Sequence, residues 1–526
     1  MAAAPPSQRS LPPVLNRLFR GTLWLALKTP LQAIFAFWSV PLILHALGKD
    51  LNGAYYSAWG FGFLQFLLEF GMSSALQRQV SDQWTRGDRQ GVNRAIACGM
   101  WFYTVLAVVQ AAVLLSIAYV ALPHSGYGPA SARLFVKLLW LQALVAPCYG
   151  LSTVVSSVLQ AARRYDFIPR FEVVIITLRF LILACGLSAR VDFFSIVVAQ
   201  TMVQVGLSLG PALWIMVREL GYLPHFRGAR RADFVGLWQF SLFVFLIQLS
   251  VVLADKIDTT ILLFVLPHPG EATTIYTNVS KPFFQIRQTG WMLSYLVMPA
   301  AASLLAARDE RGLDRLKYEG PRFLIGLLLP VSLLAWIYAR PFLTIWVGSE
   351  YGEYAYLMRL FLVAALPLVI AVQVQIAIGM GRVKFIALAA LAGSVVNLVI
   401  SYCLTVWLQD VSGVIWGTVS TTLFSNLLVP GIYVFRTLNI RFSTFAARTL
   451  SAPVCGSIAL VAATLLLGAF VSPDRAGLNI LTRSLPLLAH LTFGCLAYLA
   501  GYALVPAGRT DLAALFRKLG RRVGSA

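Results

Sequence analysis

The chain repeatedly presents apolar runs of about twenty residues or more, separated by short polar loops, and that spacing leaves few ways to fold. A helix needs about 20 apolar residues to cross hydrocarbon. In lipid the backbone must bond within its own segment, so spans of this kind are helical. Mean hydropathy of +0.76, with 59% hydrophobic and 12% charged residues, excludes an ordinary soluble domain. The spacing predicts helices over 21–47, 51–78, 95–121, 131–161, 168–188, 193–217 and 234–265, then 272–305, 321–345, 354–380, 384–407, 412–435, 449–470 and 481–505. The expected class is an all-α polytopic membrane protein with about 14 transmembrane helices.

Lys and Arg fix the expected orientation. With a cytoplasmic N-terminus, inside segments hold 29 basic residues and outside segments six: Lys49, Arg133, Arg190, Arg340, Arg475 and Arg483. Such an asymmetry is what cytoplasmic retention of basic loops produces, and it accounts for most of the net charge of +21. Residues 1–20 carry Arg9, Arg17 and Arg20 without a small-residue cleavage site, so no removable signal is expected. The reading is a multi-pass inner-membrane protein with both termini in the cytoplasm.

The chain also contains itself twice. At an offset of 221, Tyr55 meets Tyr276, Asp88 meets Asp309, Gly91 meets Gly312 and Arg94 meets Arg315. Pro147 meets Pro367 at 220 and Arg163 meets Arg382 at 219. The repeat spans six predicted helices, an even number, so its copies have the same orientation about an axis along the membrane normal. The expected plan is a cytoplasmic N-terminus (1–20), an N-lobe (21–217), a cytoplasmic linker (218–233) and a C-lobe (234–435). Two extra helices (449–505) and a basic cytoplasmic tail (506–526) follow. Two parallel six-helix repeats facing each other are a plan for alternating access.

Several stretches resemble a known family. Leu47-Gly-Lys-Asp-Leu-Asn-Gly-Ala-Tyr55, Glu69-Phe-Gly-Met-Ser-Ser-Ala-Leu-Gln-Arg78 and Asp255-Lys-Ile-Asp258 followed by Tyr276 fit its first half and seventh helix. Pro341-Phe-Leu-Thr-Ile-Trp-Val-Gly348, Gly381-Arg382, Asn397 and Gly413-Val-Ile-Trp-Gly417 fit its second half. In order and spacing they resemble the multidrug/oligosaccharidyl-lipid/polysaccharide exporter superfamily, and most nearly its Wzx-type flippases. The departures are Glu69 where Asp is common and a seventh-helix glycine missing until Gly270. The resemblance implies flipping of a polyprenyl-pyrophosphate-linked oligosaccharide for cell-surface polysaccharide biosynthesis, lipopolysaccharide included. Other polysaccharide-assembly membrane proteins would be its partners.

No soluble-enzyme constellation is present: there is no GxxxxGK[ST], HExxH or GxSxG. The six cysteines lie in or beside apolar segments without CxxC spacing, which reads as apolar filler rather than a metal or disulfide framework. No cofactor, nucleic acid or covalent chemistry is expected. What remains is a set of charges inside predicted helices, each costing about 2.5–3.5 kcal/mol near the bilayer centre unless hydrated or paired. Lys137 and Arg359 are near helix starts and can snorkel outward, and Lys256 adjoins Asp255. Arg179 lies about 14 Å beyond Arg170, with no acid in its own stretch, and Glu172 is about 10 Å away along the axis. Lys28, Arg179, Lys281 and Arg287 are the expected substrate-binding cations, with a structural ion pair as the competing role. A basic, acid-poor cavity suits a pyrophosphate rather than an organic cation. Glu69, Asp255 and Asp258 are the candidates for coupling to H⁺ or Na⁺, although Glu69 can equally pair across the bundle. The alternative reading is a cation-coupled, multidrug-type small-molecule exporter of the same fold.

Orientation can be tested directly. Reporter fusions at Gly312 and Asn439 should read cytoplasmic, and those at Pro269 and Ser412 outside. One site of opposite sign overturns the topology.

Overall fold

The computed structural model describes residues 13–162, 164, 167–230, 234–235, 245, 249–250, 252–253, 256–295, 297–470 and 480–523. Every regular element among them is helical, and the chain divides into two compact units. The first comprises Met1–Val252 with Pro267–Thr274, and the second Leu253–Leu266 with Ile275–Ala526.

In the first unit run α1 (Pro13–Gly60), α2 (Phe63–Leu68), α3 (Met72–Thr85), α4 (Arg89–Ser116), α5 (Pro129–Ala161), α6 (Phe167–Ser188) and α7 (Phe193–Trp214). The second holds α8 (Ile257–Val265), most of α9 (Pro269–Tyr295), α10 (Val297–Ala306), α11 (Glu310–Ile337), α12 (Ala339–Trp346), α13 (Ala355–Val363) and α14 (Ala371–Gly379). Then come α15 (Val383–Leu408), α16 (Ser412–Thr422), α17 (Val429–Thr437), α18 (Phe442–Phe445), α19 (Ser451–Phe470), α20 (Ile480–Leu504) and α21 (Pro506–Val523). Twelve helical stretches among the described residues are long and apolar enough to cross a membrane. Trp407, Leu144 and Leu465 are more than 70% exposed, as lipid-facing side chains are.

Fourteen spans were expected, and the difference has two sources. The expected span 234–265 falls largely outside the described residues. The expected span 51–78 is not one helix. Its first part continues α1 beyond Gly48, whose φ of 73° breaks the helical path. The chain then turns at Phe61-Gly62, and turns again where Phe70 (φ 50°) and Gly71 (φ 73°) are both left-handed. Two successive left-handed residues cannot continue an α-helix, so α3 starts afresh.

The internal duplication is visible in the backbone. After α3, Gly87 is left-handed, the Asp88 N–H donates to the Gln83 carbonyl, and Asp88 Oδ1 accepts from Gly91 N–H at 2.8 Å. After α10, Arg308 is left-handed, the Asp309 N–H donates to the Leu304 carbonyl, and Asp309 Oδ1 accepts from Gly312 N–H at 2.9 Å. This is one device used twice: a reversed helix end, then a carboxylate capping the next helix. It explains why Asp88/Asp309 and Gly91/Gly312 recur. A Cβ on either glycine would stand 2.5 Å from Oδ2 of the capping carboxylate. Left-handed Arg190 and Gln409, and Gly221 and Asn439, mark two further equivalent helix ends.

The helices outside the repeat are bolted to α11. Leu334 and Tyr338 pack with Leu460, Leu487, Tyr498 and Tyr502, and the Tyr338 hydroxyl meets His490 Nδ1 at 2.7 Å. Gly456 and Gly501 let α19 and α20 approach closely, since a Cβ at Gly501 would fall 2.7 Å from the Cys455 carbonyl oxygen. Beyond them, Arg322, only 6% exposed, grips Asp511 of α21 through Nε and Nη2, both at 2.7 Å. Its Nη1 donates to the Arg448 carbonyl at 2.9 Å, and the Tyr502 hydroxyl donates to Asp511 Oδ2 at 2.8 Å. All three donor nitrogens of this guanidinium are therefore occupied, and one carboxylate ties α21 to α11. Asp511→Ala strands the buried cation and should lower the detergent-solubilised stability by about 3 kcal/mol. The double variant Arg322→Met, Asp511→Leu should recover most of that loss, as read by thermal unfolding of the purified chain.

Candidate functional site

The first unit positions Arg179 on α6, facing α7. Its Nη1 donates to Gln204 Oε1 at 2.7 Å, and Gln200 Nε2 donates to the Arg179 carbonyl at 2.7 Å. Gln200 and Gln204 are one turn apart on α7, so one face of that helix serves both ends of the arginine. Among the described residues no carboxylate pairs with this guanidinium, which is half-buried. Arg179 also lies within electrostatic reach of Tyr55 and Tyr149. Tyr55 in turn packs edge-on against Phe193 and Trp59, with ring centroids 5.2 and 6.4 Å apart. The result is a cation flanked by amides and aromatic rings. It offers donors to an anion without a resident acid to satisfy them.

Lys28 is placed differently. Its Nζ lies 2.7 Å from Glu172 Oε2, joining α1 to α6, and the stacked Phe35 and Phe180 rings (4.5 Å) hold the same two helices together farther along. Of the two roles considered for Lys28, the ion pair describes its environment. Glu69 also has a local occupation. Its Oε1 accepts from Ser73 N–H at 2.7 Å and from the Tyr103 hydroxyl at 2.8 Å. The carboxylate therefore caps α3 where the chain restarts after Gly71, satisfying an amide that a helix start leaves open.

In the second unit Asp258 is 1% exposed, and its Oδ2 accepts from the Tyr276 hydroxyl at 2.8 Å and Thr418 Oγ1 at 2.9 Å. Next to Thr418 the polar chain continues. Thr421 Oγ1 and Ser401 Oγ each donate to Asn397 Oδ1 at 3.0 Å, and Ser401 Oγ also reaches the Val414 carbonyl at 3.4 Å. Close packing of α15 on α16 makes this possible. A Cβ at Gly413 would stand 2.5 Å from Thr405 Cα, and one at Gly417 2.7 Å from Ser401 Cα. Both glycines of the Gly413-Val-Ile-Trp-Gly417 stretch are thus needed for helix contact. The cluster brings a carboxylate, hydroxyl side chains and an amide side chain together inside the second unit. No group of three or more His, Cys, Asp or Glu side chains with metal-binding geometry occurs among the described residues.

Lys281, half-buried on α9, lies within electrostatic reach of Lys256. Arg287, also on α9, rests on Phe283 and Phe284, with its guanidinium carbon 5.2 and 5.0 Å from the two ring centroids. Asp255 lies outside the described residues. The four expected cations therefore fall two to each unit, Lys28 and Arg179 in the first and Lys281 and Arg287 in the second. The sequence reading passed over Gln200, Gln204, Ser401, Thr418 and Thr421. Their signal is spacing: polar side chains one turn apart on otherwise apolar helices.

Residues 25–185 of the 526 match the family model for MatE. No curated protein sequence matches the chain. Among solved structures, the lipid II flippase MurJ in an inward closed conformation superposes with a TM-score of 0.67 at 12% identity, over 92% of this chain and 98% of that one. An inward-facing multidrug resistance MATE transporter of the MOP superfamily gives 0.56 at 12%, over 76% and 95%. An outward-facing multidrug resistance MATE family transporter gives 0.53 at 13%, over 80% and 95%. The chain is a multi-span membrane protein, and its fold is similar to that of these transporters.

Proposed function

We propose that the chain flips a polyprenyl-pyrophosphate-linked oligosaccharide from the cytoplasmic to the outer leaflet of the inner membrane by alternating access. The observation that carries this reading is Arg179, an intramembrane guanidinium held by an amide with no carboxylate among the described residues to neutralise it. A cation kept at such cost is best accounted for by an anionic cargo, and guanidinium can grip two phosphate oxygens at once. The fold shared with a lipid II flippase supports a lipid-linked substrate. The sugar and phosphates would meet protein side chains while the polyprenyl tail stays in lipid. Both termini would face the cytoplasm, and polysaccharide-assembly membrane proteins would hand over or receive the glycolipid.

The second reading, a cation-coupled small-molecule exporter, is supported by the shared fold of multidrug transporters and by the aromatic rings about Tyr55. A transport assay separates the two. Arg179→Ala should express and fold normally yet lose nearly all movement of lipid-linked oligosaccharide in a strain dependent on this chain. Arg179→Lys should lose part of it, because lysine keeps the charge without the fork. Full transport by a folded Arg179→Ala, Arg287→Ala variant would refute the anionic-cargo reading in favour of the small-molecule exporter.

Coupling is assigned to Asp258 within the same proposal. Its carboxylate is 1% exposed inside a span and accepts from the Tyr276 and Thr418 hydroxyls, and an intramembrane acid of this kind is a candidate for ion or proton coupling. Asp258→Asn should insert and fold while transport in proteoliposomes no longer responds to an imposed H⁺ or Na⁺ gradient. Glu69→Gln should instead lower stability, through the weakened cap on α3, by about 1 kcal/mol. An unchanged gradient response in Asp258→Asn rules out coupling at this residue.

A further inference from the structure

The first unit contains a second, separate cationic place. Helix α4 does not run straight into α5. It widens into a π-turn over Ile117–Ala121, tightens into a 3₁₀ turn over Leu122–His124, and only then does α5 start at Pro129. Such π-turns are rare and recur at functional sites. Here a cavity of about 430 Å³ opens between the turns and the first part of α5, within the usual range of small-molecule sites. Its polar lining includes Ser125, Tyr127, Arg133 and Lys137.

Arg133 and Lys137 are one turn apart, an arrangement in which like charges repel. Arg133 spends its Nε on the Pro129 carbonyl at 3.2 Å, and its two terminal nitrogens make no hydrogen bond or ion pair among the described residues. The Lys137 ammonium stands over the Phe194 ring at 5.4 Å and also has no ion pair among the described residues. The amino end of α5 adds its own partial positive charge beside them. The neighbouring acid, Asp50, acts electrostatically on Tyr127 but pairs with neither cation. Tyr127 donates its hydroxyl to Ser57 at 3.0 Å, and burial pushes its ionisation well upward, so it stays a neutral wall. Two cations and a helix end therefore converge on a cavity that supplies no counter-charge.

We propose that this cavity binds a phosphate group, with Arg133 and Lys137 sharing its oxygens and the apolar residues Ala118, Leu122 and Val136 lining the space beside it. The phosphate can come from an anionic lipid headgroup or from free phosphate. The cavity is lined by none of the residues assigned to the transport site, so the proposal stands whether or not the cargo is a glycolipid.

Equilibrium binding tests this without any transport assay. The full chain is purified in neutral detergent, and retention of phosphatidylglycerol against phosphatidylcholine is read by native mass spectrometry. Inorganic pyrophosphate is titrated calorimetrically and also used as a competitor. Wild type should hold phosphatidylglycerol preferentially, and R133Q K137Q should bind it at least about tenfold more weakly. The charge-conserving R133K K137R should keep most of the affinity. Both side chains are exposed, so unfolding temperatures should agree among the three. Displacement by pyrophosphate identifies phosphate itself as sufficient, whereas lipid retention that pyrophosphate does not compete assigns the site to a lipid headgroup. Equal binding by R133Q K137Q and wild type overturns the proposal. So does a wild type that prefers neither probe.

Discussion

Hydrocarbon offers a peptide group no partner, and nearly every feature of this chain follows from that. Each span has to close its own hydrogen bonds, so helices are the only regular element among the described residues. Where a helix must break, something has to serve the amides and carbonyls released. The Glu69 carboxylate does so for α3, taking Ser73 N–H and the Tyr103 hydroxyl on one oxygen. The capping aspartates Asp88 and Asp309 do the same at the polar ends. A carboxylate inside a span needs donors for its oxygens, and Glu69 and Asp258 find different ones. Glu69 accepts from a backbone amide that a helix start leaves open, and Asp258 Oδ2 accepts from the Tyr276 and Thr418 hydroxyls.

The same constraint sorts the cations. Lys28 meets Glu172, Arg322 meets Asp511, and each pair fastens one helix to another. Removing one member of such a pair leaves a charge uncompensated, so their contribution is mostly to specify which helices pack together. Arg179 fastens nothing comparable. Its hydrogen bond to Gln204 fixes the guanidinium's direction without cancelling its charge, which keeps the position costly unless an anion visits.

The all-helical, multi-span class was legible from the sequence because apolar run length is a direct record of the bilayer. The duplicated loop was legible too, since Asp and Gly are required there by a cap and a close approach, whatever the function. The interruption of α1 and α2 was not. Gly48 and Gly71 look alike in sequence with many glycines that never leave helical geometry, and only the fold picks out those with positive φ. Partners across helices were equally hidden. In sequence the acid nearest Arg179 on its own helix is Glu172, yet Glu172 pairs with Lys28, 144 residues earlier in the chain. Asp258 was recognisable as an intramembrane acid, but Thr418 reaches it from 160 residues away.

Duplication sharpens the distinction between scaffold and function. The two copies keep the reversed helix end and its capping carboxylate almost atom for atom, with Asn439 and Arg308 even tolerating left-handed backbone where the first copy has Gly221 and Gly87. Arg179 and Asp258 are not shared in this way. At the local offset of 219, Arg179 corresponds to Leu398, and at 221 Asp258 corresponds to Phe37. A feature demanded by the membrane recurs in both halves, because both halves must cross it. A charge that appears in one half only has escaped that demand and needs its own explanation. By that criterion Arg179 and Asp258 stand apart from Asp88 and Asp309: the repeat preserves what holds the helices in place and leaves each half free to carry a different chemistry.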